Sequence, residues 1–205
     1  PPRSSSSAAS DVYKRQEFMG FGVSACATCD GFFFKNKTVA VAGGGNTAVE
    51  EALFLSNLCK KVFIIHRRDK FRAEKILQDR LMKKENIEIL WDQEVKKVIG
   101  DKDKKCISSI EVLNNKTKAK KEVKIDGFFV AIGHAPATSL FKTKLKMDDD
   151  GYIITSPDST KTNVDGVFAA GDVTDKIYRQ AVTAAGMGCM SAIEAESFLN
   201  LKKII

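Results

Sequence analysis

Two thiols stand at the spacing that lets one bond the other in Cys26-Ala27-Thr28-Cys29, and a carboxylate follows at Asp30. A Cys-x-x-Cys pair closes a small disulfide and can exchange it with an outside disulfide. Asp30 is placed to deliver or take the proton that such exchange moves. The competing chemistry is half of a zinc site. Zinc needs about four ligands. No second Cys-x-x-Cys follows, and only His66 and His134 are on offer, so the motif favours redox over metal. Cys59, Cys106 and Cys189 stand alone, which is not the pattern of a secreted disulfide framework.

A second constellation suits phosphate. The apolar run Thr38 to Ala42 leads into Gly43-Gly44-Gly45-Asn46-Thr47-Ala48 and then into an amphipathic stretch. This is G-x-G-x-x-A between a strand and a helix. The first glycine permits a tight turn, the second lets backbone approach a pyrophosphate, and the small last residue lets helix and strand pack closely. The helix start then offers N–H groups and a positive dipole end. Gly43, Gly45, Asn46 and Thr47 are the candidate contacts.

The choice of dinucleotide falls to the end of the second strand. An NAD site places an acid there for the ribose hydroxyls. Here His66-Arg67-Arg68 occupies the place, 21 residues after Gly45 at His66, and Arg72 follows. Guanidinium forks suit a 2′-phosphate and leave NAD without its acceptor. The reading is NADPH, held by His66, Arg67, Arg68 and Arg72.

A third constellation suits a flavin. Val167 to Asp172 reads as a strand ending in Gly171-Asp172, and Arg179-Gln180-Ala181 opens a helix of small residues. Asp172 can accept from ribityl hydroxyls, and the helix start can present N–H groups to the ring. Ala184, Ala185, Gly186 and Gly188 let a large group approach.

The positioning elements are legible as alternating types. Thr38–Ala42 and Val62–Ile65 read as buried parallel strands. A helix is expected over Asn46–Cys59, with Val49, Ala52, Leu53 and Ser56 on one face. Another is expected over Ala73–Lys84, with Ile76, Leu77 and Leu81 inward. Short strands then follow at Ile87–Trp91, Glu94–Val98, Ile107–Leu113 and Lys121–Ile125, an antiparallel meander where a helix crossover would otherwise stand. Gly127 to Gly133 closes the unit as another buried strand. A last helix is expected over about Gln180–Asn200. The fold class is α/β: a Rossmann-like three-layer NADPH-binding domain with an antiparallel meander, plus the carboxy-terminal part of a second, FAD-binding Rossmann-like domain. The boundaries read as a disordered or non-native leader over 1–16, a linker over 17–23, the nucleotide domain with its Cys-x-x-Cys over 24–133, and the flavin portion over 134–205.

The formal net charge is +7. Much of it is lysine between Lys96 and Lys124, alternating with Val, Ile and Ser. That pattern is a solvated strand face, and no aromatic residues interleave to stack bases, so no nucleic-acid partner is expected. No apolar run approaches the ~18 residues of a membrane span. No secretory signal opens the chain, which makes cytoplasmic the default.

Taken together, Gly22 to Gly31, Gly43 to Ala52, His66 to Ala73, Phe129 to Pro136 and Gly171 to Ala195 resemble the low-molecular-weight bacterial thioredoxin reductases. The resemblance runs from about Gly20 to Leu199. It implies a homodimeric enzyme in which electrons pass from NADPH through FAD to a disulfide and on to thioredoxin. It implies that Cys29 faces the flavin, that Cys26 attacks thioredoxin, and that Asp30 is the general acid and base. It also implies that Gly43, Gly45, Asn46, Thr47, His66, Arg67, Arg68 and Arg72 hold the nucleotide, and Gly171, Asp172, Arg179, Gln180 and Ala181 the flavin. Two positions depart from the family pattern: Phe21 stands for an arginine linked to thioredoxin docking, and Ala137 for an asparagine. The family's first flavin-binding glycine unit has no counterpart here, so the chain reads as an amino-terminally truncated fragment. Two other readings remain open. One is a related NAD(P)H flavoprotein disulfide reductase serving a peroxiredoxin-type partner. The other is an NADPH-binding fragment without turnover.

Overall fold

The computed structural model describes residues 15–101, 106–133 and 135–202. Most of the expected leader, and His134 of the zinc alternative, lie outside the described residues. The described residues fall into two compact units, one ending at Gly133 and the other following it.

The first unit is a five-stranded parallel sheet covered on both faces. In chain order its elements begin β1 (Val23–Ser24), α1 (Ala27–Asp30), β2 (Thr38–Ala42), α2 (Asn46–Ser56), β3 (Lys61–His66), α3 (Lys75–Leu81) and β4 (Ile87–Trp91). There follow β5 (Gln93–Asp101), β6 (Cys106–Asn114), β7 (Lys120–Lys124) and β8 (Gly127–Val130). The parallel sheet runs β1-β8-β2-β3-β4, and β5-β6-β7 form a separate antiparallel sheet of three strands. The meander stands between β4 and β8 but has three strands where four were expected: Ile87–Trp91 pairs parallel with β3 and so belongs to the first sheet.

Alternation along the central strands builds two apolar layers. Val39, Val41, Val62, Ile64 and Phe129 face one way and pack with Ala48, Val49, Ala52, Leu55 and Leu81 of the helices. Ala40, Ile65 and Phe128 face the other way and pack with Val95, Val98, Ile110, Val112 and Val123 of the meander. Strands buried on both faces must read as continuous apolar runs, which is why β2, β3 and β8 do. Phe18 is buried in the second layer, directly before β1.

Two helices are shorter than their patterns predict. The second ends after two turns: Leu81 is buried and Leu77 packs on the core, but Ile76 is 65% exposed. Leu77 and Leu81 share a stripe at i and i+4, and Ile76 is turned off it.

In the second unit, α4 (Ala181–Leu201) is the one long element, and none of its residues is buried. Glu194 anchors it: its carboxylate accepts from Ser159 Oγ at 2.6 Å and from the Thr160 N–H at 2.8 Å. The expected strand over Val167–Asp172 does not form. Phe168 makes a single bridge to Lys161, and Gly171–Val173 is a 3-10 turn. Gly171 has φ +75°, which ends extended backbone, and among the described residues no further chain pairs with this segment. No described helix is long and apolar enough to cross a membrane.

The ring of Phe129 is fully buried and meets Phe34 edge to face at 5.4 Å. Phe129→Ala is expected to lower the unfolding free energy by ~3–5 kcal/mol. Urea denaturation followed by the fluorescence of Trp91, the single tryptophan, measures this.

Candidate active site: a dithiol and a glycine-lined crevice

The crevice opens at the carboxyl ends of β2, β3 and β8, where open α/β sheets take ligands. Its volume is about 330 Å³. Gly43, Gly44, Gly45 and Thr47 line one side, His66, Arg67 and Arg72 another, and Val130 to Gly133 a third. The meander contributes Gln93, Glu94 and Val95.

Each glycine has a different reason. A Cβ on Gly43 would lie 2.2 Å from the Ala131 carbonyl oxygen and 2.6 Å from the Ala48 methyl. Gly43 and Ala48 are thus small because strand and helix touch there. A Cβ on Gly44 would strike the His66 ring at 2.1 Å, a constraint the sequence motif does not contain. A Cβ on Gly45 would meet nothing within 4 Å, so backbone here faces open crevice. Gly45 is also the N-cap of α2, whose first N–H groups point the same way.

The expected contacts divide. Thr47 lines the crevice, whereas Asn46 is committed to Glu74: its Nδ2 donates to Glu74 Oε1 at 3.2 Å, and its Oδ1 accepts the Glu74 N–H at 2.9 Å. His66 lines the crevice but is almost wholly buried, with its ring against Gly44. It packs on Phe71 and Trp91, and its Nε2 donates to the Lys70 carbonyl at 2.9 Å. Burial, with Arg68 and Arg72 nearby, holds the imidazole below its ordinary range despite that bond, so it is neutral at pH 7. Its role in this geometry is to support the loop. Arg67 and Arg72 are exposed side chains on the crevice wall, and Arg68 is exposed outside it. The adjacent acid, Asp69, pairs with Lys116 at 3.6 Å, and no ion pair among the described residues engages the arginines. Their backbone is fixed: Arg72 N–H donates to Gly44 O at 2.8 Å, and Asn115 Nδ2 to Arg67 O at 3.2 Å.

Cys26 and Cys29 form a disulfide. They sit just past β1, at the same end of the sheet as the crevice, since β1 runs parallel to β8 with Ser24 opposite Phe129. None of Cys26 to Asp30 lines the crevice. Cys29 is exposed and Cys26 half-buried. The Cys29 N–H donates to Cys26 Sγ at 3.2 Å, and Thr28 Oγ1 lies 3.3 Å from the same sulfur. Those contacts favour negative charge on Cys26 once the bond opens. Ser24 Oγ accepts the Cys26 N–H at 3.0 Å and fixes the turn. Cys59, by contrast, is buried, and desolvation pushes its thiol up to about 11. Among the described residues, no cluster of His, Cys, Asp or Glu is placed to hold a metal.

Behind the dithiol lies a residue that the motifs did not single out. Glu51 Oε1 accepts the Ala27 N–H at 3.3 Å, while its Oε2 is buried with no hydrogen-bond partner among the described residues. Glu51 sits three residues after Ala48 and four before Leu55, both buried, so helical spacing alone could have placed it on the inward stripe.

In the second unit, the flavin candidates gather around a turn organised by Asp175. Its carboxylate accepts the N–H groups of Ile177, Tyr178 and Arg179 at 3.0, 2.8 and 2.8 Å. Burial pushes this acid up, but those three bonds outweigh it and hold it below its ordinary value. Arg179 adopts φ +49° in this turn, and Gln180 caps α4 in a reciprocal pair with Thr183. Asp172 is exposed beside Gly171. These residues are brought together with Ala181.

The pyridine nucleotide-disulphide oxidoreductase family matches residues 4–188. A Rickettsia felis protein described as a thioredoxin reductase is 60% identical over 189 residues, which cover 92% of this chain and 61% of that protein. The crystal structure of thioredoxin reductase from Streptococcus pyogenes superimposes with a TM-score of 0.84 at 38% identity, covering 94% of this chain and 62% of that one. Thioredoxin reductase from Giardia duodenalis gives 0.79 at 40% identity, with 94% and 62% covered. The chain thus spans about three fifths of the length of these relatives.

Burial raises the Glu51 carboxyl above its usual 4.5, against the opposing bond from Ala27. A raised folded-state value means that folding shifts the balance toward the protonated acid. Stability is then lost as pH rises from 4.5 through the higher folded value. Glu51→Gln, which keeps an acceptor for Ala27, is expected to stabilise the protein by about 1 kcal/mol at pH 7. The gain should vanish below the carboxylate range. Melting curves of both proteins across pH check it.

Proposed function

This chain belongs to the pyridine nucleotide-disulphide oxidoreductase family, and from that membership we propose that it carries the nucleotide-binding and dithiol parts of a thioredoxin-disulfide reductase. The observation that carries the proposal is one unit holding both a Cys-x-x-Cys disulfide and a glycine-lined crevice edged by Arg67 and Arg72, which pair with no carboxylate among the described residues. When bound, the nucleotide and flavin would supply the two electrons that open the disulfide.

Gly43 and Gly45 bring backbone to the pyrophosphate, and Thr47 and the start of α2 donate to it. Arg67 and Arg72 hold the 2′-phosphate, with Arg68 at the rim and His66 and Asn46 bracing the loop from behind. In the dithiol, the Cys29 N–H and Thr28 stabilise Cys26 as a thiolate, which supports Cys26 as the sulfur that attacks thioredoxin. Cys29 is then the sulfur that closes the disulfide again and meets the flavin, and Asp30 moves the proton. The unit from residue 134 on is the carboxy-terminal portion of the flavin domain: Asp172 and Gly171 serve the ribityl chain, and Arg179, Gln180 and Ala181 the ring. The wholly unburied α4, with Val182 at 78% and Ile193 at 58% exposure, supports a surface meant to be covered by more of that domain. The segment after Gly133 links the two domains, whereas Phe18 and Val23, within the expected linker 17–23, are buried in the first unit. The complete enzyme works in the cytoplasm as a homodimer.

Two measurements test this. The chain, reduced beforehand and freed of reductant, should pass two electrons to oxidised thioredoxin and regain its disulfide, and Cys29→Ser should stop at a mixed disulfide. No transfer from the reduced chain would reject thioredoxin as the partner. In a binding titration, Arg72→Ala should weaken NADPH about tenfold, the worth of one charge-assisted bond. NADH should be unaffected, and Arg68→Ala should cost less. A wild-type preference for NADH would instead favour a reductase of a different disulfide partner.

A further inference from the structure

Gln93 is the first residue of β5 and sits at a sharp corner. The chain leaves the parallel sheet at Trp91, turns at Asp92 with φ +55°, and enters the antiparallel sheet at Gln93. The corner is held by the Asp92 N–H donating to Arg68 O at 3.2 Å and by the Asn115 N–H donating to Asp92 O at 2.7 Å. Gln93 pairs in register with Asn114, and the first irregularity of the ladder comes only after Val95. Strand alternation therefore puts Gln93 on the same face as Val95, which is buried between the two sheets. Gln93 continues that face into the crevice, whose lining also includes Ala42, Ile65, Phe128 and Val130.

There its Oε1 is buried and has no hydrogen-bond partner among the described residues. A carboxamide in that state destabilises the protein that carries it, and buried polar atoms in native proteins are nearly always paired. The crevice divides its polar side chains by chemistry. The cations Arg67 and Arg72 stand after β3, His66 is bonded to Lys70, Glu94 is paired with Lys96, the Thr47 hydroxyl stands on the helix start, and Gln93 is a carboxamide that can both donate and accept. A ribose hydroxyl or an amide is its complement, and a phosphate oxygen is not, because Oε1 can only accept.

Resting on the nucleotide reading above, we propose that Gln93 is a substrate-positioning residue. It hydrogen-bonds a neutral polar group in the nicotinamide–ribose half of the dinucleotide. The second sheet thereby takes part in holding the ligand instead of only covering the first.

The test is calorimetric titration of the chain and of Gln93→Met and Gln93→Leu with NADPH and with 2′,5′-ADP, alongside melting curves. Both variants should bind NADPH about tenfold more weakly, the equivalent of one lost hydrogen bond. They should bind 2′,5′-ADP as the wild type does, and melt no lower than it. Unchanged NADPH affinity overturns the proposal. An equal loss for 2′,5′-ADP places the contact in the adenosine half and overturns it too. Lower melting of both variants marks Gln93 as a structural residue and does the same. If the wild type binds 2′,5′-ADP but not NADPH, the nicotinamide half has no site here; if it binds neither, the nucleotide reading itself fails.

Discussion

At Gly43 strand and helix come too close together for any side chain to fit between them. The backbone at the end of β2 lies against the Ala131 carbonyl on one side and the Ala48 methyl on the other, with no room for a side chain. That contact fixes three things at once: how far α2 stands from the sheet, where its first turn begins, and how the ends of β2 and β8 line up. The crevice is the space left over. Its floor is apolar because the strands are buried on both faces, and its walls are polar because strands end there and N–H groups and loop side chains become available.

A second support stands behind the first. His66 ends β3, fills the space against Gly44 and bonds back to Lys70. A neutral imidazole there costs little to bury and adds no charge against the guanidinium groups on the same loop. The Arg72 N–H closes the arrangement by bonding Gly44 O. Glycine loop and arginine loop thus behave as one piece of backbone. An arginine reach set by main-chain bonds is better preorganised than one set by rotamers alone.

How much of this was legible depended on whether the relevant force is local. The strand–glycine–helix succession is carried by period and by residue size, so β2, the loop and α2 read off directly. The meander was legible through its turn, where Asn114 Oδ1 accepts the N–H groups of Lys116 and Thr117. Val167 to Asp172 was misread because its composition suits a strand while pairing depends on another segment. Glu51, Gln93 and Asp175 are polar residues of ordinary appearance. What distinguishes them is a neighbour distant in sequence or a burial set by packing, and a motif contains neither. The same holds for Asn46, which fits the fingerprint yet gives its side chain to Glu74.

The Cys26–Cys29 bond joins residues only three apart within a turn already held by Ser24. A cross-link stabilises a protein largely by restricting its unfolded chain, and a loop this short restricts it least. The reactive bond is therefore coupled to the fold more weakly than a long-range cross-link would be. Loop closure assigns it about 2 kcal/mol, so opening and remaking it changes the fold's stability by less than a bridge between distant elements would.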